Sequence, residues 1–355
     1  MVLPVMKVDL GLGEGILPFI EEIQSSGIYG NFGPQVMQLE AEYAELLGLP
    51  KSRLVSASNA TIGLQGALAV FEMDSWVVPS WSFAATAHAA RLQDSELYFG
   101  DVLRESWVLD PNEVRSGEGA VVTAPFGAQI AIGAEWNHVG GLVIDAAAAI
   151  GAFPEVGESF CKPWAIVVSL HATKVLGIGE GGFVVFSSDE LAQKFRQWTN
   201  FGFSGNREAA YPSTNGKLSE VSAAIGRFRL SGWTKEKSDW LEARRSAHGV
   251  GSELEINVGF SRGDWVSPYW VVDFSQEEHC RFAEKELHEA GIEFRSWWSS
   301  GCHRMPAFVG IPSRGSLEVT EEIAAKSLGL PFFRGINADQ VEQVSLSLHR
   351  AIRQS

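Results

Sequence analysis

Cysteine is scarce in this chain of 355 residues, which carries Cys161, Cys280 and Cys302 and no others. An odd, widely spaced set without a CxxC pair excludes a disulfide framework and a zinc knuckle, so no metal site is expected. A reducing cytoplasm is the compartment that fits. Basic residues are also few, 28 against 43 acidic, and the formal charge of −15 opposes nonspecific attraction to nucleic acid or an anionic membrane. An anionic substrate would therefore need local cations. Long hydrophobic runs are missing as well. "GLVIDAAAAIGAF" contains a carboxylate and is too short to span a bilayer, and Lys7 and Asp9 interrupt the apolar N-terminus. Neither a membrane segment nor a secretion signal is expected, and there is no internal repeat or low-complexity tract.

What is present is the composition of a folded protein, 45% hydrophobic and 20% charged, in a chain long enough for a large unit and a smaller one. Short apolar runs end in small, polar or proline residues at 53–58, 75–80, 120–125, 141–146, 165–170 and 181–188, and each reads as a buried strand. Helical spacing follows Asn59, returns over 189–202 behind an acidic first turn, and returns again over 218–233, continuing through a charged stretch. Strand and helix alternate, so the fold class predicted is α/β with a mostly parallel sheet. The remainder has a strand-like run over 264–274 and helices over 279–291 and 337–352, which predicts a small C-terminal α+β unit. The expected division is 1–235 and 236–355.

The segment Ser169 to Gly182 reads "SLHATKVLGIGEGG". Gly177, Gly179 and Gly182 spell G-x-G-x-x-G, but a dinucleotide fingerprint opens a helix, whereas these glycines lead into the strand-like "GGFVVFSS". The glycines turn one strand into another. Lys174 lies among them, delivered by "AIVVSL" to the carboxyl edge of the sheet, where ligands bind in open α/β folds. An isolated lysine is usually a solvated cation. Desolvation at such an edge favours a neutral amine able to form a Schiff base.

A lysine working with pyridoxal phosphate needs a carboxylate for the pyridinium nitrogen, a phosphate cradle and a flat group against the ring. Asp145 ends the run "GLVI" before four alanines, which fits either that carboxylate or a plain helix-cap aspartate. "SNATIGL", with Thr61, fits either an anion-binding helix start or simple capping. Trp81 and Phe83 follow a strand and are either ring partner or core.

With these pieces in chain order, the sequence resembles the DegT/DnrJ/EryC1/StrS sugar aminotransferases over nearly its whole length. The motif S-x-H-x-T-K…G-E-G-G is matched by Ser169, His171, Thr173, Lys174, Glu180, Gly181 and Gly182. The resemblance implies a fold-type I pyridoxal 5′-phosphate enzyme in which Lys174 bonds the cofactor and Asp145 pairs with its ring nitrogen. Ser169, Thr61 and the Ile62 N–H would bind its phosphate, and Phe83 would stack on its ring. "NGKL" matches a segment that reaches the neighbouring subunit's phosphate, implying Asn215 and Lys217 acting in trans and a homodimer with shared sites.

It further implies glutamate as donor and a nucleoside-diphosphate-linked 3- or 4-keto-6-deoxy sugar as acceptor, in amino-sugar synthesis for a surface glycan. "SGIYGNFGP" resembles a substrate-edge loop, which nominates Tyr29 and Phe32. "FRSWWSSGCHRMPAF" falls where a C-terminal segment meets the sugar, which nominates His303 and Arg304, with Arg295 beside them. One departure is Ala148, where the family commonly has Gln or His against the cofactor's ring hydroxyl. Two alternatives are a noncatalytic regulator that binds the cofactor, to which Ala148 lends support, and a sugar dehydratase, which would carry histidine in place of Lys174.

Overall fold

In the computed structural model, residues 2–253 and 266–353 are described. The strands are β1 (Leu54–Ala57), β2 (Ser75–Pro79), β3 (Glu96–Gly100), β4 (Gly119–Thr123), β5 (Ala131–Ile132), β6 (Gly141–Asp145), β7 (Glu155–Val156), β8 (Trp164–Ser169), β9 (Gly182–Phe186), β10 (Trp270–Asp273) and β11 (Ser327–Leu330). The helices are α1 (Leu17–Ser26), α2 (Pro34–Leu46), α3 (Ala60–Phe71), α4 (Ala84–Arg91), α5 (Asp189–Trp198), α6 (Glu220–Ser231), α7 (Trp233–Glu253), α8 (Glu277–Glu289), α9 (Glu318–Lys326) and α10 (Ala338–Arg353).

Seven strands form one sheet in the order β1-β9-β8-β6-β4-β2-β3. All its pairs are parallel except those made by β9, so β9 alone runs against the rest. This is the α/β, mostly parallel arrangement expected. β4, β6 and β9 are buried along their whole length, as apolar strands covered on both faces must be. Their side chains feed two cores, one on each side of the sheet. Parallel strands have a functional consequence: the carboxyl ends of β1, β2, β6 and β8 lie on one edge. β9 starts at that same edge, where Gly182 is paired with both Ser169 and Ala57.

The six strands expected between residues 53 and 188 all form, shifted by one or two residues at their ends. β3, "ELYFG", was not anticipated, because its apolar part is only Leu97, Tyr98 and Phe99 and follows the polar "QDSE" directly. The helix expected to reach 202 stops at Trp198, where Phe201 (φ 61°) and Gly202 (φ 71°) turn the chain left-handed. The predicted continuous helix after 218 is two helices, α6 and α7, separated at Gly232. The expected boundary at 235 falls within the first turn of α7. Of the run predicted over 264–274, residues 264 and 265 lie outside the described residues, and Trp270–Asp273 pairs antiparallel with β11. Among the described residues no helix is long and apolar enough to cross a membrane.

Candidate active site

The β8–β9 connection is a tight double turn. Leu170 N–H donates to Gly181 O at 2.9 Å, Ala172 N–H to Gly179 O at 2.8 Å, and Ile178 N–H to Leu170 O at 2.8 Å. A Cβ at Gly177 would lie 2.5 Å from His171 O and 2.7 Å from Ala172 O, so only glycine lets the loop close on itself. Closure lifts Lys174 off the sheet edge with its side chain directed into a cavity of about 560 Å³.

Asp145, at the end of β6, enters the same cavity and is almost fully buried. Thr86 Oγ1, on α4, donates to its Oδ2 at 2.5 Å, and the Ala147 N–H donates to Oδ1 at 3.1 Å. Burial raises its carboxyl above the ordinary aspartate range, and these two hydrogen bonds and the charge of Lys174 offset only part of that. The position favours a cationic partner.

The start of α3 forms another wall, with Asn59, Ala60, Thr61 and Ile62 lining the cavity. Asn59 caps the helix, its Oδ1 accepting the Ile62 N–H at 2.9 Å. This corrects the expectation for Ile62, whose N–H is held by the neighbouring cap. The N–H groups of Ala60 and Thr61 precede the first intrahelical bond and leave this helix end suited to an anion. Ser169 lines the cavity too, its Oγ accepting the His171 N–H at 3.2 Å.

Phe83 lies on the cavity wall with 58% of its surface exposed, whereas Trp81 is buried against Trp107 and Trp298. The two aromatics divide the roles: Trp81 is core and Phe83 offers an uncovered ring. His171 and Glu180 stand at the rim 3.6 Å apart, and Ala148 contributes a methyl-bearing wall.

Other nominated residues do not line this cavity. Asn215 pairs through its backbone with Asn200, and Lys217 Nζ donates to Asn200 Oδ1 at 2.9 Å while lying 4.6 Å from the centre of the Phe201 ring. Burial lowers the Lys217 ammonium's pKa. Tyr29 is exposed, and Phe32 carries the Arg196 guanidinium on its ring at 4.9 Å. His303 Nδ1 lies 2.6 Å from Ser80 Oγ, and its Nε2 lies 3.2 Å from Glu321 Oε1. Arg304 Nε donates to that same oxygen at 3.0 Å. Glu321 of α9 thus engages the His303 ring and the Arg304 guanidinium outside the cavity.

That segment contributes Trp297 and Trp298 instead, joined by Phe126 and Tyr269. Phe126 stacks on Trp298 at 4.1 Å, and Trp297 meets Tyr269 edge-on at 5.0 Å. The indole of Trp297 fits because residue 329 is glycine, where a Cβ would lie 2.0 Å from its Nε1. Sequence reasoning marked the tryptophan segment but not these side chains. "PFG" and "SPYW" carry no pattern that separates a cavity aromatic from a core one.

Known proteins show the same architecture. Protein Rv3402c of Mycobacterium tuberculosis (strain ATCC 25618 / H37Rv) is 27% identical, covering 93% of this chain and 85% of its own. The dTDP-4-amino-4,6-dideoxy-D-glucose transaminase of Shigella dysenteriae is 25% identical, covering 93% of this chain and 94% of its own. The crystal structure of DesI in the presence of its TDP-sugar product superposes with a TM-score of 0.84 at 26% identity, covering all of this chain and 93% of that one. The sequence profile of the DegT/DnrJ/EryC1/StrS aminotransferase family matches residues 12–349, and this chain belongs to that family.

Proposed function

We propose that this protein transfers an amino group from glutamate to a 3- or 4-keto-6-deoxy sugar carried on a nucleoside diphosphate, with pyridoxal 5′-phosphate as cofactor. The observation that carries the reading is the Lys174 amine in one cavity with a buried carboxylate and a helix N-terminus. The residues fit the cofactor. Asp145 is a buried carboxyl raised by desolvation, which a pyridinium cation would relieve, and the α3 terminus with Thr61 and Ser169 suits a phosphate. Pyridoxal phosphate supplies an electron sink for carbanion charge.

The chain's own residues do the rest. Lys174 Nζ takes a proton from one carbon and returns it to another, a 1,3-shift by a single base. Asp145 would hold the cofactor's ring nitrogen in its protonated form. Thr86 and the Ala147 N–H hold Asp145 in place. Phe83 would offer its exposed ring to the cofactor, and the aromatic wall of Phe126, Tyr269, Trp297 and Trp298 would receive the sugar or its base. Asn215 and Lys217 are assigned to the neighbouring subunit's phosphate, which is consistent with their lying outside their own cavity and makes the functional unit a homodimer. Tyr29, Phe32, His303 and Arg304 remain candidates for substrate contact from a neighbouring subunit or after Glu321 is displaced. The reading includes a cytoplasmic location and a division near residue 235 between a cofactor-binding unit and a C-terminal unit.

Relatives support the acceptor class: a dTDP-4-amino-4,6-dideoxy-D-glucose transaminase in Shigella dysenteriae, and DesI, whose structure was determined in the presence of its TDP-sugar product. The test is spectroscopic. Glutamate should convert the bound cofactor to its amine form, and a nucleotide-linked keto-sugar should restore it. A cofactor spectrum that glutamate leaves unchanged would refute the transfer.

A further inference from the structure

We infer that Tyr269 is a positioning residue for the Lys174 amine. Lys174 Nζ donates to Tyr269 Oη at 2.7 Å and lies 4.9 Å from the centre of the same ring. The phenol has little freedom to leave. Phe126 and Trp297 meet its ring edge-on at 5.8 Å and 5.0 Å. Its backbone is pinned from behind, because Ser267 Oγ accepts the Tyr269 N–H at 3.2 Å and donates to Phe126 O at 2.6 Å. The Phe126–Gly127 turn closes this arrangement. Gly127 has φ +82°, and a Cβ there would lie 2.5 Å from Ala148 O and 3.2 Å from Ser267 Oγ.

The consequence is a fixed oxygen that holds a flexible amine. A lysine side chain left to itself samples many rotamers, and a reaction that needs its nitrogen in one place loses rate to that freedom. Ala148 brings no side-chain polar atom to this wall, so among the described residues the phenol is the hydrogen-bonding group on Lys174 Nζ. A held amine should react poorly with a small reagent that arrives from any direction, since the reagent must break the phenol contact. It should react well with a carbonyl docked in one pose.

The experiment uses the full chain cleared of cofactor and compares the parent with Tyr269→Phe, which keeps the ring and removes the oxygen. Acetylation of Lys174 by a small N-hydroxysuccinimide ester is read by peptide mass spectrometry against Lys235, whose side chain is 87% exposed. The rate should rise about fivefold in the variant, the size of one net hydrogen bond. Capture of pyridoxal phosphate, followed by absorbance, should fall about fivefold, with the thermal midpoint unchanged. Ser267→Ala should move both rates in the same two directions by less. Unchanged acetylation, or both rates moving the same way, would overturn the assignment, the second pattern being that of general loosening. The capture measurement rests on the proposed cofactor chemistry. If the parent captures no pyridoxal phosphate, that reading fails while acetylation still decides the role of Tyr269.

Discussion

The two halves of the cavity are built by different means. On the sheet side, Asp145, Ser169 and Lys174 stand at or just beyond strand ends, and the N-terminus of α3 follows β1 directly. Sheet hydrogen bonds fix the strand ends that carry Asp145 and Ser169, and the glycine-closed turn beyond β8 carries Lys174. On the opposite side, Phe126, Tyr269, Trp297 and Trp298 come from three separate loops and hold one another by ring contacts. The groups proposed for catalysis rest on the rigid scaffold, whereas the face proposed to meet the substrate is an assembly of side chains.

Changes at Lys174 and Asp145 on the sheet side should cut the chemistry itself, and changes at Trp297 and Trp298 on the aromatic side should alter substrate binding while sparing the donor reaction. Tyr269, which holds Lys174, belongs to both sides. The largest effect is expected for Lys174→Ala, with a loss of at least about a thousandfold in single-turnover transfer, since it removes the proton-moving base. Parent-like turnover in that variant would break the distinction at once.

Asp145→Asn should follow, at about a hundredfold loss in turnover, with a signature in stability. The folded-state carboxyl of Asp145 is raised by burial, so its ionised form costs stability at pH values above its titration range. In the cofactor-free chain the variant should therefore be more stable than the parent at pH 7, with the gap closing as pH falls and the parent's carboxyl protonates. Thermal unfolding across that pH range measures it. A gap that widens toward acid would contradict the burial argument.

Trp297→Ala should sharpen the comparison from the other side. The acceptor's kcat/KM should fall about tenfold, as expected for a lost aromatic platform, while the glutamate half-reaction stays within about twofold of the parent. Equal losses in both half-reactions would place Trp297 in the catalytic half. The smallest effect is expected for Thr61→Ala, a several-fold weaker cofactor affinity of about 1 kcal/mol, read by equilibrium dialysis.

The sheet side was also the legible side. "SLHATKVLGIGEGG", "GLVIDA" and "SNATIGL" each carry strand, turn or cap signals within a dozen residues, and all three meet at one edge because β1, β6 and β8 are parallel. Ile62 shows the limit even there. A cap signal at Asn59 and an anion-binding signal at the next residues look alike in sequence, and the structure gives the Ile62 N–H to Asn59. Residue type alone does not rank Phe83 and Trp81, two aromatics separated by one serine, and only the family resemblance singles out Phe83. Burial of Trp81 against Trp107 and exposure of Phe83 separate them.

His303 and Arg304 stand out in sequence because their segment resembles a sugar-contacting one, and nothing local reveals Glu321, on a helix further along the chain, as the partner of both. Tyr269 had no marker, because its importance lies in a hydrogen bond to a residue 95 positions earlier. By itself the sequence determined what local chemistry can write: the alternating strands and helices, the glycine-closed lysine loop, the strand-end aspartate and the family. Only the tertiary structure decided which aromatics face the cavity, which cations are already paired and which phenol holds the lysine. Those depend on side chains from distant segments competing for the same partners, and no local pattern records the outcome of that competition.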